Sequence, residues 1–205
     1  MIAIIDYGVG NLFSLRASLE KIGAEATLTS DEDIIRSADK IILPGVGAFE
    51  DAAKKLFTSG MADIILRETA KGKPLMGICL GMQLLFDKSY EFGVHDGLGL
   101  IKGEVKPLAG YIPDTLKIPQ MGWNSLKITQ PDCPIFKYSR DGDFVYFVHS
   151  YYGCCENPSD MSASCEYGRD VTAAVWKDNV FGCQFHPEKS SEAGLRILKA
   201  FAEIN

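Results

Sequence analysis

The feature that most constrains this chain is a set of short apolar runs in its first half, each cut off by a glycine-bearing turn. Ile2–Ile5 ends at Asp6-Tyr7-Gly8, residues 40–43 end at Pro44-Gly45-Val46-Gly47, and residues 74–79 end at Leu80-Gly81. Runs this short, bounded this way, read as strands. Between them Leu12, Leu15, Leu19 and Ile22 recur at helical spacing. A second strand at Ala26–Thr29 is followed by a helix capped by Ser30 or Asp31, one or two helices fill 49–71, and 82–86 reads as helical. Strands spaced by helices imply crossover connections and parallel βαβ units.

The second half is patterned differently. Residues 123–128 alternate at period two, and 144–152 are rich in aromatic and β-branched side chains. Residues 171–176 and 180–185 flank Lys177-Asp178-Asn179, which reads as a hairpin turn, and a last helix covers 190–201. No repeat, low-complexity stretch or linker interrupts the chain. Its 205 residues suit one α/β domain over 1–205, with an open, mostly parallel twisted sheet flanked by helices and an antiparallel section in the C-terminal half.

Composition narrows the function by exclusion. A formal charge of −6, with scattered basic residues, makes a poor ligand for phosphate backbones or anionic membranes, so neither nucleic acid nor membrane is an expected partner. No apolar run approaches the roughly 20 residues of a membrane span. The N-terminus lacks the basic and apolar regions of a signal peptide, so a cytoplasmic location is expected. Six cysteines without paired CxxC spacing point to reduced thiols and no metal site. No cofactor is implied.

The sharpest local signal is Gly77-Ile78-Cys79-Leu80-Gly81, placed between a strand and a helix. That is the context of a nucleophile elbow, in which flanking glycines allow a tight turn that lifts the central side chain off the sheet. A helix starting there would favour thiolate at Cys79 and would put the Leu80 amide where an oxyanion needs a donor. A buried core thiol explains the pentapeptide equally well until a base is found.

Only His95, His149 and His186 can supply one. His95 lies in a polar, glycine-rich stretch that reads as a surface loop, and His149 ends an aromatic strand, as a packed or a functional histidine. His186 ends a strand and is followed by Pro187-Glu188. In extended chain Glu188 faces the same way, where a carboxylate would hold Nδ1–H and leave Nε2 for a thiol. Cys79 as nucleophile, His186 as base and Glu188 as its orienting group form the expected triad. The Pro44-Gly45-Val46-Gly47 loop can point an amide at a substrate, whereas Asp6-Tyr7-Gly8-Val9-Gly10-Asn11 lacks the pattern of a nucleotide loop.

Together, the loop at 44–47, Gly-Ile-Cys-Leu-Gly-Met-Gln at 77–83 and Phe-His-Pro-Glu at 185–188 resemble the class I, triad-type glutamine amidotransferases over nearly the whole chain. That resemblance implies a flavodoxin-like fold and hydrolysis of glutamine to glutamate and ammonia through a Cys79 thioester. It also implies oxyanion donors at Leu80 and at Gly47 or Val46, and glutamine-binding roles for Gln83, Ser150 and Tyr151. Within the family, the segments 6–12, 119–124, 147–151 and 186–190 are similar to the branch of glutaminase subunits that feed a (β/α)8-barrel cyclase of histidine biosynthesis. That branch often carries His where Gln120 stands here. The likeness implies a heterodimer, with Asn11, Trp123 and Lys189 on its partner-facing rim, and implies imidazole glycerol phosphate and an aminoimidazole carboxamide ribonucleotide as products. The rival readings are a glutaminase serving another synthase, such as that of pyridoxal phosphate, a non-enzymatic regulatory subunit, and a stand-alone cysteine hydrolase.

Overall fold

The computed structural model describes residues 1–204. The first half follows the alternation of the sequence. It runs β1 (Ile2–Ile5), α1 (Leu12–Lys21), β2 (Ala26–Thr29), α2 (Glu32–Ser37), β3 (Lys40–Gly45), α3 (Phe49–Thr58), α4 (Met61–Ala70), β4 (Leu75–Cys79) and the single-turn α5 (Leu80–Gln83). Asp31 is the cap of α2, its carboxylate accepting from the amides of Asp33 and Ile34. Gly60, at φ 77°, separates α3 from α4. The second half supplies β5 (Phe86–Ser89), β6 (His95–Asp96), β7 (Ile101–Pro107), β8 (Gln120–Ser125), β9 (Lys127–Ile128), β10 (Phe144–His149), β11 (Tyr151–Cys155), β12 (Met161–Glu166), β13 (Asp170–Lys177), β14 (Val180–Cys183) and α6 (Ser191–Ala202).

The main sheet has the order β2-β1-β3-β4-β14-β13-β12-β9. Its first five strands are mutually parallel, and β13, β12 and β9 are added antiparallel. A parallel sheet needs cover on both faces, and the period of two divides the core accordingly. Ile2, Ile4, Met76 and Ile78 pack with Leu15 and Leu19 of α1 and with Ile197 and Phe201 of α6. Ala3, Ile5, Leu43 and Leu75 pack with Ile35, Phe49, Leu56 and Ile65 of α2, α3 and α4. Two small sheets, β11-β7-β5-β6 and the β10–β8 ribbon, complete the fold beside the C-terminal ends of the parallel strands.

Four expectations are corrected. Residues 82–86 do not continue a helix, because the carbonyls that would extend it are taken by an incoming loop. Leu98 N–H donates to Leu84 O (2.8 Å), Leu100 N–H to Leu85 O (2.9 Å) and Gly99 N–H to Phe86 O (3.1 Å), and Phe86 passes into β5. The aromatic run 144–152 is two strands joined at Ser150, pairing in different sheets with β8 and β7. Residues 123–128 are likewise divided, with Leu126 turning inward between β8 and β9. His95 is not a free loop residue but a half-buried member of β6, near Glu50 of α3. No helix among the described residues is long and apolar enough to cross a membrane.

Candidate active site

Three neighbouring parallel strands deliver the chemistry to one place. Gly45 at the end of β3 lies beside Cys79 at the end of β4, and Cys183 of β14 lies beside Ile78. The residues just past those strand ends, Val46 and Gly47, Leu80, and His186, therefore meet at the carboxyl edge of the sheet, where open α/β sheets form their ligand clefts.

Cys79 turns the chain from β4 into α5 with φ 55° and ψ −110°. The strain is carried by the cysteine itself, at a typical cost of about 1–3 kcal/mol. Its flanking glycines serve a different purpose from the one expected, since neither Gly77 nor Gly81 has positive φ. A Cβ on Gly81 would stand 1.9 Å from Leu43 O, and one on Gly77 would stand 2.6 Å from Gly81 O. They are glycines because α5 lies directly against β3 and β4. With one turn, α5 offers only a small dipole, which leaves the side chains around Cys79 as its main electrostatic neighbours.

His186 is the foremost of those neighbours. Its Nδ1–H donates to Glu188 Oε1 at 2.9 Å, and both side chains are buried. Burial alone would lower its pKa, but side-chain hydrogen bonds to Cys79 and Glu188, with their charges, outweigh it and push it up to about 9. The proximity of Glu188 arises from a 3-10 turn at Pro187–Lys189, not from the extended chain of the sequence reading. Ser190 locks that turn to β10. Its hydroxyl donates to His186 O (2.6 Å) and accepts from Tyr146 N–H (2.9 Å), while His186 N–H donates to Tyr146 O (2.9 Å).

Cys79 and His186 open onto a cavity of about 320 Å³. Val46, Gly47, Leu80, Gln83, Ser150 and Tyr151, all singled out in the sequence, also line it. Gly47 has φ 96° and open space around it, so glycine is favoured there by conformation alone. Gln83 Nε2 donates to Tyr151 O (2.9 Å) and to Gln184 Oε1 (3.0 Å), and Gln184 Nε2 approaches Cys79 Sγ at 3.7 Å. A chain of amides thus ties the cavity wall to the sulfur.

Sequence reasoning missed Gln184, Glu91 and the part played by His149. Glu91 lines the cavity and accepts from Phe49 N–H at 2.6 Å, capping α3 from across the site. Nothing in the hairpin sequence Tyr-Glu-Phe-Gly signals this. His149 is buried, and burial lowers its pKa to about 4, so its ring is neutral. Nδ1–H donates to Tyr151 O at 2.8 Å, which leaves Nε2 an acceptor 3.1 Å from the Gln120 amide. In the structure Gln120 Oε1 is the atom facing that nitrogen, and Gln120 Nε2 donates to Cys165 Sγ at 3.5 Å. A neutral His149 is satisfied with this amide in its alternative orientation, NH2 on Nε2 and carbonyl on the Cys165 thiol, which burial keeps protonated with a pKa of about 11.

Of the residues assigned to a partner-facing rim, Trp123 is half exposed, stacks edge-on against Tyr146 with centroids 6.2 Å apart, and so is not core. Lys189 Nζ stands 5.9 Å from the centre of the same tyrosine ring. Asn11 stands at the start of α1 and shares a small cavity with Glu188. Among the described residues no group of three or more His, Cys, Asp or Glu side chains could hold a metal ion, and all six cysteines are free thiols.

Comparison with known proteins agrees with this geometry. Residues 3–204 match the family described as glutamine amidotransferase class-I. The chain is 50% identical over 207 residues to the imidazole glycerol phosphate synthase subunit HisH of Syntrophotalea carbinolica, covering the whole of both. It is 52% identical over 204 residues to the subunit of the same name from Caldanaerobacter subterraneus subsp. tengcongensis, covering 100% of this chain and 98% of that one. The fold superposes on the structure titled PurLQS from Thermotoga maritima with a TM-score of 0.74 at 22% identity, covering 98% and 96% of the two chains. Matches of this length and evenness leave one assignment: the chain belongs to the class I glutamine amidotransferase family, in its branch of imidazole glycerol phosphate synthase HisH subunits.

Proposed function

We propose that this glutamine amidotransferase subunit hydrolyses L-glutamine through a covalent intermediate on Cys79 and passes the ammonia to a cyclase subunit with a (β/α)8 barrel. The observation that carries the reading is the convergence of Cys79 and His186 at the ends of adjacent strands on a cavity sized for an amino acid, with Glu188 holding the imidazole from behind.

In this mechanism the Cys79 thiolate, paired with the His186 imidazolium, attacks the side-chain carboxamide carbon of glutamine. The oxyanion is held by the amide of Leu80 and by that of Gly47, or of Val46 after its peptide reorients. Each such donor is worth about 2.7–4 kcal/mol of barrier. His186 protonates the departing ammonia and then takes a proton from the water that hydrolyses the thioester, releasing glutamate. Glu188 keeps the imidazole in the tautomer that presents Nε2 to sulfur. Gln83, Ser150 and Tyr151 hold the amino-acid end of the substrate, and the Glu91 carboxylate in the same cavity suits its α-ammonium group.

The cyclase docks over Asn11, Trp123 and Lys189 to form a heterodimer, in which ammonia travels without meeting bulk solvent. It joins a phosphoribulosyl-formimino-aminoimidazole-carboxamide ribonucleotide, giving imidazole glycerol phosphate and an aminoimidazole carboxamide ribonucleotide. The identity with HisH relatives over the full chain supports this acceptor over that of pyridoxal phosphate synthase. The chemistry is tested by quenching the complex during glutamine turnover and measuring intact mass. A glutamyl adduct mapping to Cys79, absent in Cys79→Ser, is the expected result; turnover that persists in Cys79→Ser would overturn it.

A further inference from the structure

The hydrogen bonding of Glu188 is only half described by its contact with His186. Oε1 receives the imidazole N–H, but Oε2, equally buried, has no hydrogen-bond partner among the described residues. The side chain is 2% exposed, and a carboxylate oxygen buried without a donor is costly. Behind the His186–Glu188 pair lies a small cavity of about 10 Å³, bounded by Asn11, Leu15, Pro44, Gly45, Val46 and Ile78. With Oε1 committed to the imidazole, Oε2 is the oxygen of Glu188 left to face it.

Asn11 is the one uncharged polar side chain in that wall. It precedes α1 in the capping position, yet its side chain makes no capping bond, so its amide is free to point elsewhere. A space of about 10–15 Å³ holds one water, provided that polar groups anchor it. Leu15, Pro44 and Ile78 offer apolar walls, leaving Glu188 and Asn11 as the two side-chain anchors.

We infer that this cavity binds a single water molecule, which donates one hydrogen to Glu188 Oε2 and the other to the carboxamide oxygen of Asn11. Asn11 is thereby a positioning residue: it anchors the water, the water fixes the second oxygen of the carboxylate, and the carboxylate fixes the imidazole. The inference builds on the proposed roles of His186 and Glu188. It also gives Asn11, at the proposed docking rim, a physical link to the base that does not pass through the substrate cavity. The other titratable groups facing the pair are Cys79, His149 and Cys183, none of which takes part in the water site.

The test compares the full chain with Asn11→Leu, which is apolar, and Asn11→Asp, which is isosteric and still accepts a hydrogen from the water. Crystals grown without ammonium salts should show density for one water between Glu188 and residue 11 in the wild type and in Asn11→Asp, and none in Asn11→Leu. The downfield proton resonance of the His186–Glu188 hydrogen bond should be sharp in the first two and broadened in Asn11→Leu. With saturating cyclase, Asn11→Leu should lose about fivefold in kcat at little change in the glutamine KM, the scale of one neutral hydrogen bond. No density in the wild type, or a resonance as sharp in Asn11→Leu as in the wild type, overturns the inference; so does Asn11→Asp behaving like Asn11→Leu. Density and resonance are read without turnover, so they stand apart from the Cys79→Ser test of the reaction itself.

Discussion

At the scale of single residues, two histidines lining one cavity are set to opposite charge states by their surroundings. His186 has a hydrogen-bonding partner on each side, Cys79 and Glu188, which outweigh its burial, and its pKa rises from 6.5 to about 9. Because the folded value is the higher, the stability it contributes is complete below pH 6.5 and is lost as pH rises through 9. The same titration governs turnover, since ammonia must leave protonated. The rate constant kcat/KM for glutamine should therefore fall above about pH 9, and Glu188→Gln should move that fall to lower pH in a pH–rate profile. His149 is the reverse case, a basic group whose folded pKa is depressed from 6.5 to about 4 by burial. The unfolded chain takes up its proton first, so folded stability declines as pH drops from 6.5 toward 4. Urea unfolding at the two ends of that window should show a smaller acid loss in His149→Gln than in the wild type.

At the scale of elements, the site depends on how closely α5 approaches β3 and β4. Gly81→Ala puts a methyl group into Leu43 O, a backbone atom that cannot move without breaking the ladder to β4. Thermal or urea unfolding should register a loss of at least about 2 kcal/mol, with glutaminase activity lost more than stability, because Cys79 and Leu80 move with the turn. These elements are also where the sequence was most and least legible. The strand–Cys79–helix turn and the Phe-His-Pro-Glu run announce themselves, because strained turns and strand-end motifs are local. The single-turn length of α5 was not legible, since it is set by amides of residues 98–100 that take the carbonyls of residues 84–86, distant from the pattern that suggested a helix. Nor was the division at Ser150, where the strand pattern continues but the pairing partner changes. Glu91, Gln184 and His149 escaped for the same reason: each acts through a contact made by another part of the chain.

At the scale of the whole molecule, the parallel order β3-β4-β14 places three loops side by side although the last is more than a hundred residues from the other two. The antiparallel additions and the small sheets then build the cavity wall and the surface around it. That surface carries Trp123, Tyr146 and Lys189 in one contiguous cluster, with Met121 and Phe144 exposed on the same ribbon. A half-exposed tryptophan braced on a tyrosine beside a cation has the composition of an interface anchor. Trp123→Ala should weaken binding to the cyclase by about 2 kcal/mol or more in calorimetry, leaving the melting temperature of the isolated chain little changed.

The central claim, a Cys79 glutaminase controlled by a cyclase partner, is tested most directly by glutamate release from glutamine. The purified chain is assayed alone and with the cyclase barrel carrying its ribonucleotide ligand, each beside Cys79→Ser. The account predicts slow release by the chain alone, a sharp rise in the complex, and none with Cys79→Ser in either setting. Equal release with and without the barrel would contradict the partner's control, and release by Cys79→Ser would contradict the chemistry.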